Sequence, residues 1–289
     1  VTGGGPLRAG RALTDALLRR FWAYLVGVAE VSDRCQLGLM AAGVAFFGFL
    51  AVFPAAAAAI AILGFAYNPA LVSEQMVVLD DFLPPAAYHL LEDQVHALVN
   101  ANSSTLGWTT VLSIAFALWS ARAGIGALIQ GLNAVHGHPQ RVFLEHTLQA
   151  VVMTLFLILI ALAVVVAGFV VPVLLKVLPL GEASARTLEV VNAAVGLSVV
   201  TLGTSLIYRY GPNHATTRPP LVTPGLVLAV VLWIAASRGL MVYLANFGSY
   251  NQIYGSIGAV VALMMWFYLG AYAVLLGAAL DAVRATRLQ

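Results

Sequence analysis

Six long apolar runs separated by shorter polar intervals set the pattern of this chain. They cover about residues 37–65, 106–128, 148–175, 188–208, 224–247 and 254–280. A helix rises 1.5 Å per residue, so about 20 residues cross the hydrocarbon of a bilayer, and each run is long enough. The pattern predicts an all-α integral membrane protein with six transmembrane helices. Within the first run Gly38, Ala41, Ala45 and Gly48 recur at helical spacing and offer a face for close helix packing. Pro54 sits inside the same run, where it frees a backbone carbonyl and predicts a kink that shapes either a cavity or simple packing.

The intervals carry their own periodicity. Over residues 12–30, Leu13, Leu17, Phe21, Tyr24, Leu25 and Val28 share one stripe, with Asp15, Arg19 and Glu30 on the other side. This predicts an N-terminal amphipathic helix, lying either in the membrane interface or against the ends of the bundle. The interval 66–105 holds Glu74, Asp80, Asp81, Glu92 and Asp93 with no Lys or Arg, and Pro84–Pro85 divides it. Tyr88, Leu91, Val95 and Leu98 then form a helical stripe, so this interval reads as a helical cap on the outer side between the first two spans. The chain thus divides into a cytoplasmic N-terminus (1–36), a membrane domain (37–281) and a cytoplasmic tail (282–289).

Composition agrees. Of 289 residues 61% are hydrophobic and 9% charged, and mean hydropathy is +0.94; a soluble domain carries about 25% charged residues. A net charge of +2 gives no footprint for nucleic acid, and the single cysteine, Cys35, excludes an intrachain disulfide framework. Charge placement orients the bundle. One side holds Arg8, Arg11, Arg19, Arg20, Arg34, Arg122, Arg141, Arg209, Arg218, Arg284 and Arg287; the other holds Lys176 and Arg186. The positive-inside bias therefore predicts both termini in the cytoplasm.

Few residues inside the spans can carry chemistry. Arg238 lies 14 residues past Pro224, about 21 Å along the fifth span. A guanidinium at that depth must meet water, an anion or helix-end carbonyls, or snorkel to the surface. The stretch YLANFGSYNQIYG that follows is aromatic, amide-rich and uncharged, so Tyr243, Asn246, Tyr250, Asn251 and Tyr254 are candidate binding residues beside Arg238. Arg122 and Asp281 lie near helix ends, where they either pair across the bundle or face the interface; together with Pro54 they are candidate gating or structural groups. Gly270, Ala273 and Gly277 mark a narrow seam for another helix. His136, His138 and His146 lack the cysteine or carboxylate companions of a metal site. No phosphate-loop, dinucleotide, HExxH or GxSxG pattern occurs, so neither an enzyme nor a cofactor is expected.

Several strings together resemble the YihY/BrkB family of bacterial inner-membrane proteins. They are AAGVAFFGFLAVFP, LWSARAGIGALIQGLN, YRYGPN at Tyr208–Asn213, Pro224–Gly225, YLANFGSYNQIYG and MMWFYLGAYAVLLGAALDA. The resemblance spans roughly residues 35–283. It implies a six-span protein of the bacterial inner membrane with no established reaction and no agreed site residues. The family once carried a ribonuclease label, which the absence of a hydrolytic constellation here argues against. Some members are connected with envelope lipid export. The expected function is a transporter or flippase for an anionic amphipathic envelope molecule such as a lipid, with membrane lipids and an oligomer or envelope protein as partners. A small-ion or solute permease, or a non-transporting adaptor, are the alternatives.

Overall fold

The computed structural model describes residues 5–66, 106–140, 142–177, 183–213, 219–246 and 248–288. All seven elements among them are helices: α1 (Gly5–Arg34), α2 (Leu37–Ala66), α3 (Leu106–His136), α4 (Phe143–Val177), α5 (Ala183–Tyr210), α6 (Pro224–Asn246) and α7 (Gly248–Leu288). The six apolar runs fall on α2 to α7 in order. Among the described residues four helices are long and apolar enough to cross a membrane by length and composition, within α3, α4, α6 and α7. The bent pair Trp22–Arg34 and Leu37–Val52 makes a fifth if taken as one span. The acidic cap of the sequence reading falls at 67–105, outside the described residues.

The distribution of apolar surface suits lipid as solvent. Leu112 is 72% exposed, Phe143 82% and Leu159 60%, whereas Ser120, Asn133, Thr154 and Thr204 are buried. The helices satisfy their own backbone groups, as hydrocarbon requires. One buried hydroxyl does the same locally: Thr154 donates to the Ala150 carbonyl one turn back at 2.7 Å.

From α2 onward, successive helices run in opposite directions. The starts of α2, α4 and α6 lie with the ends of α3, α5 and α7, tied by side chain to backbone bonds between them. The main core cluster sits at this end, where Leu37, Leu132, Leu226 and Leu275 from α2, α3, α6 and α7 meet. Helix α7 is central and packs on α1, α2, α3 and α6, while α4 and α5 flank the group through α3 and α6.

The amphipathic helix α1 docks on the end of α7. Gly27 faces Val283, Arg287 donates to the Ala23 carbonyl at 2.7 Å, and its guanidinium lies 5.0 Å from the Tyr24 ring centre. Arg19 and Arg20 point to the exposed side. Gln36 takes a left-handed conformation, φ 51°, where the chain turns 61° from α1 into α2.

Candidate functional site

Four of the family-like strings meet at the end where α3, α5 and α7 finish. They are the last residues of LWSARAGIGALIQGLN, YRYGPN, Pro224–Gly225 and the last residues of MMWFYLGAYAVLLGAALDA. YLANFGSYNQIYG lies at the opposite end, between α6 and α7. Asn133 of α3 is fully buried, and its Oδ1 accepts the backbone N–H of Asn213 at 2.8 Å. Asn213 in turn donates through its amide to the Pro139 carbonyl at 3.2 Å. The carbonyls of Tyr210 and Gly211 close α5 and both accept from Gln149 of α4. Arg209 donates to the Pro219 carbonyl at 3.0 Å, and Ser205 to that of Leu221. The Gln149 bonds fill carbonyls at the end of α5, and the others tie the loops after α3 and α5, backbone groups that hydrocarbon would leave unpaired. YRYGPN is thus a chain reversal held by side chains from α3 and α4.

A second knot joins α5, α6 and α7. Thr223 caps α6, its Oγ1 accepting from Leu226 N–H at 3.0 Å, with Pro224 at the first helical position. The Asp281 carboxylate accepts the Gly225 N–H at 2.8 Å and places negative charge at the positive end of α6. A β-carbon on Gly225 would collide with the Gly277 carbonyl and with Asp281. One on Gly277 would meet the Gly225 carbonyl, and would lie 2.6 Å from the Tyr208 hydroxyl. The two backbones therefore touch, and Tyr208 closes the crossing by donating to the Val274 carbonyl. Along the glycine seam expected on the last span α7 meets α6, Gly277 against Gly225 and Gly270 against the Trp233 ring.

The sequence left open whether Arg122 and Asp281 pair. Among the described residues no ion pair joins them. Asp281 is engaged by the α6 terminus, while Arg122 lines a cavity between α2, α3 and α4 with Gln130, His146 and Thr147. His136 ends α3 and stacks on His138, with ring centres 5.7 Å apart. No group of three or more His, Cys, Asp or Glu among the described residues is placed to hold a metal ion.

Arg238 is exposed on α6, on one stripe with Val227, Val231, Ile234 and Val242. Beside it, α6 and α7 enclose a groove of about 500 Å³ lined by Ala236, Gly239, Leu240, Tyr243, Val261 and Met265 among others. Tyr243 therefore faces the groove, and Arg238 stands outside its lining. The side chains of Asn246, Tyr250, Asn251, Tyr254 and Pro54 lie outside the described residues. The amide-rich stretch itself is nearly all helical: α6 ends at Asn246 and α7 begins at Gly248.

Asn133, Gln149 and Tyr208 hold the site end together, and sequence reasoning did not single them out. Asn133 and Tyr208 lay inside the quoted strings GLN and YRYGPN, a signal available without a role attached. Gln149 carried none.

The family model described as Virulence factor BrkB matches residues 28–289. The chain belongs to this family. Its BrkB membership covers both knots, the groove and the Arg122 cavity. A relative from Bacillus subtilis (strain 168), named as the ribonuclease-like protein YfkH, is 30% identical over 249 residues, 84% of this chain and 88% of the relative. A UPF0761 membrane protein of Xanthomonas oryzae pv. oryzae is 45% identical over 75 residues, 26% of this chain and 17% of its own length. A third, from Xanthomonas axonopodis pv. citri, is 44% identical over 75 residues, with 18% of its length covered. The chain thus spans most of the Bacillus relative and less than a fifth of the Xanthomonas ones. No solved structure matches.

Proposed function

We propose that this BrkB-family protein is a transporter or flippase of the bacterial inner membrane, acting on an anionic amphipathic envelope molecule such as a lipid. It crosses the membrane six times with both termini in the cytoplasm. The observation that carries the reading is Arg238 on an exposed, otherwise apolar stripe, beside the α6–α7 groove. A guanidinium facing hydrocarbon costs at least about 2.5 kcal/mol unless an anion or water meets it. A lipid offers both parts of the match: a phosphate for Arg238, and acyl chain for the apolar groove with the Tyr243 hydroxyl near its rim. Hydrolysis is left out of the reading. The polar groups of the two knots are engaged in holding helix ends, and the ribonuclease-like name of the Bacillus relative brings no constellation with it.

Reconstitution into vesicles with a fluorescent anionic lipid tests this, reading the loss of inner-leaflet protection from a membrane-impermeant quencher. Arg238→Leu is expected to abolish the movement with the fold retained, and Arg238→Lys to keep part of it, since lysine supplies charge without the planar fork. A leucine variant as active as the parent would end the proposal.

Orientation has its own measurement. In cells, single cysteines near Asp80 are expected to react with an impermeant maleimide, and cysteines near His214 to stay unreacted. The reverse pattern would invert the topology.

A further inference from the structure

The cavity between α2, α3 and α4 is the strongest site outside the α6–α7 groove. It encloses about 290 Å³ and is lined by Arg122, Gln130, His146 and Thr147, with Phe47 and Phe143 among its apolar walls. Among the described residues no carboxylate lines it. Arg122 Nε and Thr147 Oγ1 are both buried without a hydrogen-bond partner among the described residues. Arg122 is half-buried, and a guanidinium whose buried Nε keeps an open donor in a cavity of this kind suits an anion. The other groups suit the same ligand. Gln130 Nε2 lies 3.3 Å from His146 Nε2, which brings the amide and the ring to one side of the space. Gly126 keeps the floor clear, because a β-carbon there would come within 3.3 Å of the same histidine nitrogen.

We infer that this cavity binds a phosphate group, held by Arg122 and Thr147 and presented by a lipid headgroup or by free phosphate. A guanidinium offers two parallel N–H donors to phosphate oxygens, and the threonine hydroxyl adds a third donor from the opposite helix. The volume lies at the lower limit of small-molecule pockets, about 300 Å³, which suits a headgroup better than a whole amphiphile. The setting favours the lipid source. Phe143 and Leu144 at the start of α4 are 82% and 74% exposed, an apolar surface on which an acyl chain rests while its phosphate enters. This site is separate from Arg238 and stands whether or not the protein moves lipid.

The test uses the full chain purified in detergent. After incubation with mixed micelles of phosphatidylglycerol and phosphatidylcholine, native mass spectrometry reads the lipid retained. The parent is expected to keep phosphatidylglycerol in preference. Arg122→Gln lowers that retention about tenfold and Thr147→Val about threefold, the scale of one charged and one neutral hydrogen bond. Arg122→Lys retains an intermediate share. In a second arm without lipid, millimolar inorganic phosphate raises the melting temperature of the parent and not of Arg122→Gln if free phosphate is the source. Should Arg122→Gln fail to fold, Thr147→Val decides, since it changes shape very little. The inference is overturned if both variants retain phosphatidylglycerol like the parent and phosphate shifts neither. It is equally overturned if Arg238→Leu alone removes the lipid, which would place the headgroup at α6 instead.

Discussion

Gly277→Ala is expected to destabilise the protein by about 3 kcal/mol or more, the upper range for overpacking. The direction runs against intrinsic preference, for alanine in a helix interior is normally better than glycine by about 1 kcal/mol. Here the β-carbon itself has no room. It would press on the Gly225 backbone, lie 2.6 Å from the Tyr208 hydroxyl and 2.8 Å from Ala229 Cβ. Side-chain rotation could move only the Tyr208 hydroxyl; the Gly225 carbonyl and Ala229 Cβ are fixed by the backbone, so α6 and α7 must separate. Separation also lengthens the bond from Gly225 N–H to Asp281 and the one from Tyr208 to the Val274 carbonyl. Gly270→Ala is the matched control on the same helix, because its β-carbon meets only the Trp233 ring at 3.4 Å. Size-exclusion after heating in detergent reads the difference: Gly277→Ala aggregates well below the parent and Gly270→Ala close to it. Equal melting of all three would show that the crossing is looser than described.

Asn133→Ala is expected to cost about 1–3 kcal/mol for each buried partner it strands. The Asn213 N–H loses its only described acceptor, and Gln140 Oε1 loses the Asn133 amide that donates to it at 3.4 Å. The change also frees the reversal after α5, so limited proteolysis between residues 211 and 223 should accelerate several-fold. Asn133→Asp keeps the acceptor for Asn213 but introduces a buried charge, and should be no better than alanine. Unchanged melting together with unchanged proteolysis would remove Asn133 from the structural account.

How much of this was legible in the sequence depends on the range of the force involved. Apolar runs report a local requirement, length against bilayer thickness, and each run does fall on a helix. The helices extend beyond them for an equally local reason. Past residue 128 the chain turns polar at Gln130 and Asn133, which reads as an exit from the membrane. Yet Leu132, Asn133 and Val135 are buried, and the helix continues to His136 because its polar residues face other helix ends. The same holds for α7, which reaches Leu288 while its apolar run stops near residue 280. The glycine seam was readable because small residues at helical spacing have few other uses. Its partner was not, since Gly225 and Gly277 are brought together by topology alone. Asp281 illustrates the limit: a carboxylate near a helix end suggests a cation, and nothing local says that its partner is a backbone N–H 56 residues earlier.

Helix α7 touches α1, α2, α3 and α6, yet it follows all of them in the chain. During biogenesis the earlier helices must therefore wait in the bilayer with their inner faces unclaimed. Gly38 and Gly48 of α2 lie open until Tyr268 and Phe267 arrive, and the Gly225 N–H until Asp281 arrives. Insertion and assembly are thus two separate events for this protein. The second is completed by the last hairpin, α6 with α7, whose arrival closes α1, α2 and α3 around the last helix. A ribosome stalled before residue 260 would leave α2 packed on α3 but the α7 face open, a state for the membrane's quality-control proteases rather than a partly working protein.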